Sequence, residues 1–135
     1  MSAVLGLLTV GLIMADSDPK IACVRAYVAA FEAGDAVAAA ALFADDATVE
    51  DPYGSAPMRG RDAIAAFYAR AMQGSAKLAL TGPVRVAGDA AAFAFTATVA
   101  AGGIEIDIID VFRFNAARKI VSMQAFWSPA NVRTG

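Results

Sequence analysis

Asp110 is the carboxylate that fits least well with its neighbours in the sequence. It lies in IEIDIIDVFRF, residues 104 to 114, where alternation typical of a strand turns every second side chain to one face. The other side chains on that face are all apolar: Ile104, Ile106, Ile108, Phe112 and Phe114. Burial of an ionised carboxylate there is costly, so the pattern predicts a raised pKa and a protonated acid that can donate a hydrogen bond. The alternative is an Asp110 that binds a backbone amide or pairs with a Lys or Arg.

Asp51 raises the same question at the end of another predicted strand. In ATVEDPYG, residues 47 to 54, it shares a face with Ala47 and Val49, and Pro52 restricts the backbone directly after it. A carboxylate on a fixed main chain, facing apolar neighbours at the lip of a pocket, is suited to act as a general base. The alternative is an aspartate that forms a turn ahead of a loop.

Tyr27 is the third residue that could take part in proton transfer. A helix is predicted over residues 19 to 33, between an N-cap at Asp18 and a stop at Gly34, and Tyr27 borders its buried stripe. Taken alone, a tyrosine at this position is best explained as a core residue whose hydroxyl finds a nearby partner. Only its combination with Asp51 and Asp110 favours a catalytic site.

The composition narrows the chemistry. The 135 residues include no His and one Cys, which excludes Ser-His and Cys-His nucleophiles, zinc sites built on these residues and a disulfide within the chain. A net charge of −2 without a basic run gives no surface for nucleic acid. Hydrophobic residues make up 59%, enough for an apolar cavity or a homodimer. The lone Cys23 reads as helix filling and is compatible with the cytoplasm, which we take as the expected location.

The order of elements predicts an α+β fold. A short Ala-rich helix ends near Phe43, the first strand covers residues 47 to 51, and a Pro- and Gly-rich loop precedes a helix over residues 61 to 72. Four strands then follow at 77 to 87, 90 to 100, 104 to 114 and 119 to 128. We expect a mostly antiparallel, strongly curved sheet wrapped over three helices, with an apolar pocket between them.

The first residues form a separate segment. We predict an apolar extension over residues 1–14, which we interpret as upstream residues from an extended start site, and one domain over residues 15–135. The run AVLGLLTVGLI is too short to span a bilayer, which takes about 20 residues. Docking of this segment onto the protein or onto a second copy is the alternative.

Several motifs resemble those of the bacterial ketosteroid isomerases, which belong to the nuclear-transport-factor-like superfamily of cone-shaped α+β folds. The matching segments are ADDATVEDPYG, GRDAIAAFYARAM, LTGPVR, DIIDVFRF and MQAFWSP, and the resemblance runs from about Ile21 to Pro129. It implies that Asp51 moves the proton, that Tyr27 donates to the oxyanion, and that protonated Asp110 is the second donor. The family itself is the established example of an acid kept neutral by an apolar site.

The implied reaction converts a 3-oxo-Δ5 steroid to the conjugated Δ4 ketone through a dienolate, without a metal or organic cofactor. The family also favours a homodimer that pairs through the exposed sheet. Tyr68 matches a position where relatives have a tyrosine behind the oxyanion donor, whereas Phe43 replaces another and Tyr53 stands where relatives often have Phe. The residues expected to line the steroid slot, or else to be plain aromatic core, are Phe67, Phe93, Phe95, Met123 and Trp127.

Two other classes of function remain open. A non-catalytic member of the same fold would bind an apolar ligand or associate with a protein, and it would have no reason to keep Asp51, Tyr27 and Asp110 together. A related epoxide hydrolase or polyketide cyclase is the second alternative. The hydrolase typically activates water with a paired Arg and Asp, but Arg113 falls on the opposite strand face from Asp110.

Overall fold

A computed structural model of the chain describes residues 18–134. Within these residues there are three α-helices, α1 (Pro19–Ala33), α2 (Ala36–Ala40) and α3 (Arg61–Gln73). The strands are β1 (Phe43–Glu50), β2 (Met58–Arg59), β3 (Ala76–Leu80), β4 (Arg85–Ala87), β5 (Ala90–Val99), β6 (Ile104–Phe114), β7 (Ile120–Phe126) and β8 (Val132–Thr134). Short 3₁₀ turns lie at Ala100–Gly102 and Pro129–Asn131.

Helix α1 has the ends that its sequence predicts. The Asp18 carboxylate accepts a 2.8 Å hydrogen bond from the Lys20 amide, and Pro19 occupies the first turn, where no intrahelical N–H is needed. Gly34 ends the helix with φ +66°, a left-handed conformation that glycine adopts without steric cost. Both bounds of the predicted helix are confirmed.

The strands form one sheet with helices packed against its inner face, so the predicted α+β class is confirmed. Its order is β2-β1-β7-β6-β5-β3, with β4 added to β5 and β8 added to β6. The pairs among β5, β6 and β7 are antiparallel, whereas β1 runs parallel to β7. Register irregularities in the β1–β7 and β6–β7 pairs are of the kind that bends a sheet.

Several predicted strand bounds were wrong. The strand expected over 77 to 87, with a bulge or bend at Thr81-Gly82-Pro83, is two strands, β3 and β4, and that interruption falls between them. The first strand begins at Phe43, not 47, and ends at Glu50, one residue before Asp51. Strands β2 and β8 were not expected, since segments of two and three residues show no alternation that a pattern could detect.

Aromatic rings fill the space between α1, α3 and the sheet. Phe112 on β6 is fully buried, and its ring centroid lies 5.0 Å from that of Tyr27 and 4.9 Å from that of Phe93, both edge to face. Phe43 packs 5.8 Å from Tyr68. Such edge-to-face pairs add to the area that each ring buries. The aromatic core therefore holds α1, α3 and β6 in a fixed relation.

Two predictions concern the periphery of the fold. The predicted extension over residues 1–14 lies outside the described residues, and its role stays a prediction. Cys23 packs against the core, and burial raises the pKa of its thiol to about 11 although Lys119 opposes the shift, which fits the filling role. No helix among residues 18–134 is long and apolar enough to cross a membrane.

Candidate active site

A cavity of about 180 Å³ lies between α1, α3 and the inner face of the sheet. Its polar wall residues come from five different elements or loops: Tyr27, Asp51, Tyr68, Asp110 and Trp127. The other wall residues are apolar: Phe31, Phe67, Ala71, Ala76, Leu78, Phe95, Ala97, Val99, Ile106 and Ile108. A mostly apolar cavity with a few convergent polar groups is the form expected of a ligand site.

Asp110 sits on β6, opposite Phe93 on one neighbouring strand and Ala125 on the other. Its side chain is 1% exposed, and Oδ1 is buried without a hydrogen-bond partner among the residues that the structure describes. Burial first, and then the negative charge of Asp51, raise the pKa of Asp110 well above 3.8. Both effects favour the protonated carboxyl, and in that form the group can donate a hydrogen bond.

Asp51 follows directly after β1, where the chain turns along the end of β7. The Tyr53 amide donates a 2.7 Å hydrogen bond to the Ala125 carbonyl, which ties this turn to the central sheet. The indole Nε1 of Trp127 donates to Asp51 Oδ1 at 2.6 Å. Burial raises the pKa of Asp51 above 3.8, and the indole hydrogen bond opposes that shift by favouring the ionised form.

Tyr27 on α1 and Tyr68 on α3 meet through their hydroxyl groups. The two oxygens lie 3.0 Å apart, with Tyr27 donating to Tyr68, and both side chains are at most 3% exposed. Burial is the main cause that raises both phenol pKa values well above 10.0. Both phenols are therefore neutral over the physiological range and keep their protons for hydrogen bonding.

The structure brings together most of the residues that the sequence singles out. Phe67, Phe95 and Trp127 line the same cavity as the two aspartates and Tyr27. Phe93 and Met123 do not line this cavity. Both side chains are buried and pack within the hydrophobic core. The Phe93 ring stands behind the polar groups, with its centroid 6.2 Å from that of Tyr27.

Phe43 marks where the hydroxyl chain ends. Its ring lies against Tyr68 with centroids 5.8 Å apart, and it has no hydroxyl to extend the pair of phenols. Tyr53 is 57% exposed and stacks on Phe126 outside the cavity. Among the described residues the pair of hydroxyl groups therefore ends at Tyr68, and Tyr53 is not part of the cavity wall.

Sequence reasoning missed part of the site. The hydrogen bond from Trp127 to Asp51 joins residues 76 positions apart, and no local pattern predicts it. The small wall residues Ala97 and Ala71 were also missed, although signals for them exist. Ala97 shares the inward face of β5 with Phe95, and Ala71 lies one helical turn after Phe67.

The chain belongs to the family of SnoaL-like domains, whose model matches residues 24–123. The match confirms the nuclear-transport-factor-like superfamily that the resemblance implies.

Two relatives illustrate the range of similarity. The chain is 42% identical over 113 residues to the Steroid Delta-isomerase of Nocardioides simplex, covering 82% of this chain and 91% of that protein. A solved structure of SalBIII, described as an epoxide hydrolase/cyclase-like enzyme with a role in pyran ring formation in the polyether salinomycin, superposes with a TM-score of 0.81. The superposition covers 86% of this chain and 95% of the SalBIII chain. At 24% sequence identity, it shows a shared fold alone.

The buried acid predicts an unusual dependence of stability on pH. Above about pH 3.8, the ordinary pKa of an aspartate, the unfolded chain releases the Asp110 proton, whereas the folded protein keeps it to higher pH. This group therefore makes the free energy of unfolding fall as pH rises. Asp110→Asn removes that loss. We expect the difference in unfolding free energy, variant minus wild type, to rise between about pH 4 and pH 7 by up to about 1.4 kcal/mol per pH unit in urea titrations.

Asp107→Asn is the matched control, three residues earlier on the exposed face of the same strand. Hydrogen bonds from Arg133 and Thr96 lower the pKa of Asp107, so its contribution to stability is present above the ordinary value and lost as pH falls. The difference for Asp107→Asn should therefore stay level between about pH 4 and pH 7 and change only below that range, with the opposite sign. Equal slopes for the two variants would contradict a protonated Asp110.

Proposed function

We propose that this protein is a cofactor-independent steroid Δ5-isomerase that converts 3-oxo-Δ5 steroids to 3-oxo-Δ4 steroids by intramolecular proton transfer. The observation that carries this proposal is the difference between two carboxyl groups on one cavity. Asp110 is buried with Oδ1 unpartnered, whereas Asp51 is half-buried and held by an indole N–H. The 42% identical relative named as a steroid isomerase supports the same conclusion.

Asp51 is the base. Its Oδ1 accepts the Trp127 hydrogen bond, which leaves Oδ2 to take a proton from carbon 4 of the substrate. The carbon 5–carbon 6 double bond then shifts into conjugation as Asp51 returns the proton to carbon 6. The raised pKa of Asp51 makes it a stronger base than an ordinary aspartate, and the indole bond keeps it ionised and oriented. The proton stays within the substrate and base, so no cofactor is consumed.

Tyr27 and protonated Asp110 donate hydrogen bonds to the dienolate oxygen. Each such donor contributes about 2.7 to 4 kcal/mol of transition-state stabilisation where it acts in a site shielded from water. The hydroxyl groups of Tyr27 and Tyr68 carry one proton each, and the hydrogen bond between them uses only one of the two. When their hydrogens rotate so that Tyr68 donates to Tyr27, the Tyr27 proton is free for the substrate. Tyr68 thus positions Tyr27 and strengthens it as a donor.

The apolar remainder of the cavity fits a fused hydrocarbon ring system. Its walls strengthen the hydrogen bonds to the oxyanion, because the attraction between opposite charges rises as the local dielectric falls. They also keep Asp110 protonated. Steroid binding and the neutral acid therefore depend on the same apolar side chains.

The alternative functions are less well supported by the site. Arg113, the arginine of the same strand, is exposed and lies opposite Ser122, away from the cavity. No Arg or Lys lines the cavity among the described residues, so the Arg and Asp pair of a hydrolase is missing from this part of the chain. A non-catalytic binding protein would gain nothing from an unpartnered buried carboxyl, which costs stability.

Isomerisation of 5-androstene-3,17-dione tests this proposal through the absorbance of the conjugated enone. Removing the base with Asp51→Asn should lower kcat about 10²- to 10⁴-fold, and removing one donor with Tyr27→Phe should lower it about 10²- to 10³-fold. Asp107→Asn, on the exposed face of β6, should keep wild-type activity. No turnover by wild type, or a full rate with Asp51→Asn, would refute the proposal.

Trp127→Phe separates the indole hydrogen bond from the packing of the ring. The N–H favours ionised Asp51, so its loss should raise the pKa of Asp51 and shift the acid limb of the kcat/KM profile to higher pH. A residue that only packs against the substrate would change KM without moving this limb. An unchanged acid limb would therefore contradict the positioning role of Trp127.

We also infer that two copies pair through the outer face of the sheet. Ile109 and Phe126 are opposite each other in the β6–β7 register, and they are 48% and 42% exposed. Tyr53 stacks on Phe126 with ring centroids 5.1 Å apart, and a groove of about 450 Å³ lies beside these residues. Exposed apolar side chains grouped in this way are typical of a protein interface.

Sedimentation velocity tests the homodimer. We expect wild type to sediment as a dimer and Ile109→Lys to shift it toward the monomer, because a charge would be buried at the interface. Val37→Lys is the matched control, since Val37 is 77% exposed on α2, away from this face. A monomeric wild type at micromolar concentration would show that this inference is wrong.

A further inference from the structure

The chain leaves the sheet between β7 and β8, and the cavity tryptophan lies at the start of this excursion. Phe126 is the last residue of β7 to pair with β6, and Val132 is the first residue of β8 to do so. Their partners on β6 are Ile109 and Ile106, so five residues of the chain, 127–131, pass only two residues of β6. Because the ladder does not hold this segment, its own hydrogen bonds must decide its path.

A side-chain hydrogen bond fixes the peptide unit directly after Trp127. The amide N–H of Ser128 belongs to this unit and donates to Asn131 Oδ1 at 2.9 Å. Pro129 restricts the same stretch, because a residue before proline is held in extended backbone, and Ser128 has φ −143° and ψ 175°. The Asn131 amide donates in turn to the Ser128 carbonyl at 2.8 Å. The orientation of the backbone at Trp127 therefore depends on the Asn131 side chain.

That backbone sets how the indole reaches Asp51. Trp127 Nε1 lies 2.6 Å from Asp51 Oδ1, and a hydrogen bond weakens steeply when its donor moves away or tilts. Among the described residues the indole is the one hydrogen-bond donor to the Asp51 side chain. The titratable groups that line the cavity with Asp51 are Tyr27 on α1, Tyr68 on α3 and Asp110 on β6. A small displacement of the indole would therefore remove the donor that favours ionised Asp51.

We propose that Asn131 is a positioning residue for the base: by holding the peptide unit after Trp127, its side chain keeps the indole N–H on Asp51. Asn131 does not line the cavity, so it acts only through Trp127. If Asn131 merely closed the turn ahead of β8, its loss would cost stability and leave the indole in place. This inference rests on the proposed isomerase function, in which Asp51 is the base, but the indole contact can be measured without substrate.

The NMR resonance of the indole N–H tests this contact directly, because Trp127 is the only tryptophan of the chain. Asn131→Ala removes the acceptor of the Ser128 amide, so the hydrogen bond to Asp51 should weaken and the indole proton should shift upfield at neutral pH. Ser128→Ala is the matched control. It removes the other side-chain bond of the turn, from the Ala130 amide to Ser128 Oγ at 3.3 Å, and should leave the resonance in place. A shift as large in Ser128→Ala as in Asn131→Ala, or no shift in Asn131→Ala, would overturn the proposal.

Asn131→Asp keeps the proposal testable if the alanine variant fails to fold. It retains an oxygen acceptor for the Ser128 amide, so the indole proton should stay near its wild-type position at neutral pH. Loss of that position in folded Asn131→Asp would contradict the role of the acceptor. Both alanine variants should lower the urea midpoint of unfolding, since each removes a hydrogen bond of the same turn, but only Asn131→Ala should displace the indole.

The pH profile of kcat/KM for 5-androstene-3,17-dione tests the consequence for the base. Asn131→Ala should move the acid limb to higher pH by about half a pH unit or more, because ionised Asp51 loses its donor. In the Trp127→Phe background the same change should not move the limb further, since no indole is left to position. No shift in the wild-type background, or an equal shift in both backgrounds, would overturn the proposal. Absence of turnover by wild type would refute the isomerase function alone, and the indole resonance would still decide the role of Asn131.

Discussion

The site is built around one buried carboxyl group whose surroundings favour its protonated form. Asp110 lies among apolar and aromatic side chains, its Oδ1 lacks a partner among the described residues, and Asp51 adds a negative charge nearby. Both effects favour the neutral acid, and only a neutral carboxyl can donate a hydrogen bond. The same burial costs stability, since a polar group without a partner is expensive inside a protein. Such a cost is typical of a functional site, where a group is held in a state that folding alone would not select.

The second carboxyl differs from the first because of its position on the fold. Asp51 stands at the end of an edge-side strand, where the cavity opens, and the Trp127 indole gives its Oδ1 a partner. The parallel pairing of β1 with β7 makes this contact possible, because it brings the end of β1 beside the residues that follow β7. The surroundings of the two aspartates therefore differ within one cavity, and only the carboxylate of Asp51 has a hydrogen-bond donor that favours its ionised form.

The network behind Tyr27 is short. Tyr68 is the one hydroxyl that reaches Tyr27 in the described part of the chain, and the phenyl ring of Phe43 closes the position behind it. The rings of Phe93 and Phe112 hold the Tyr27 phenol by edge contacts, and Phe43 packs against Tyr68 and Phe112. Similarity to a polyether-forming enzyme at the level of fold shows that this scaffold accommodates different chemistry. The polar groups of the cavity carry the functional argument.

The sequence by itself determined the helix bounds of α1, the alternation of β6 and the conflict between Asp110 and its apolar face. These are local: capping, period and side-chain type act over a few residues, and the chain need not be folded to reveal them. The family motifs also singled out Asp51, Tyr27 and Tyr68 as candidate site residues, and all three line the cavity. Tertiary structure alone decided that Trp127 donates to Asp51 and that Phe93 and Met123 lie in the core. Those facts depend on strand pairing and helix packing between residues distant in sequence, which no local pattern encodes.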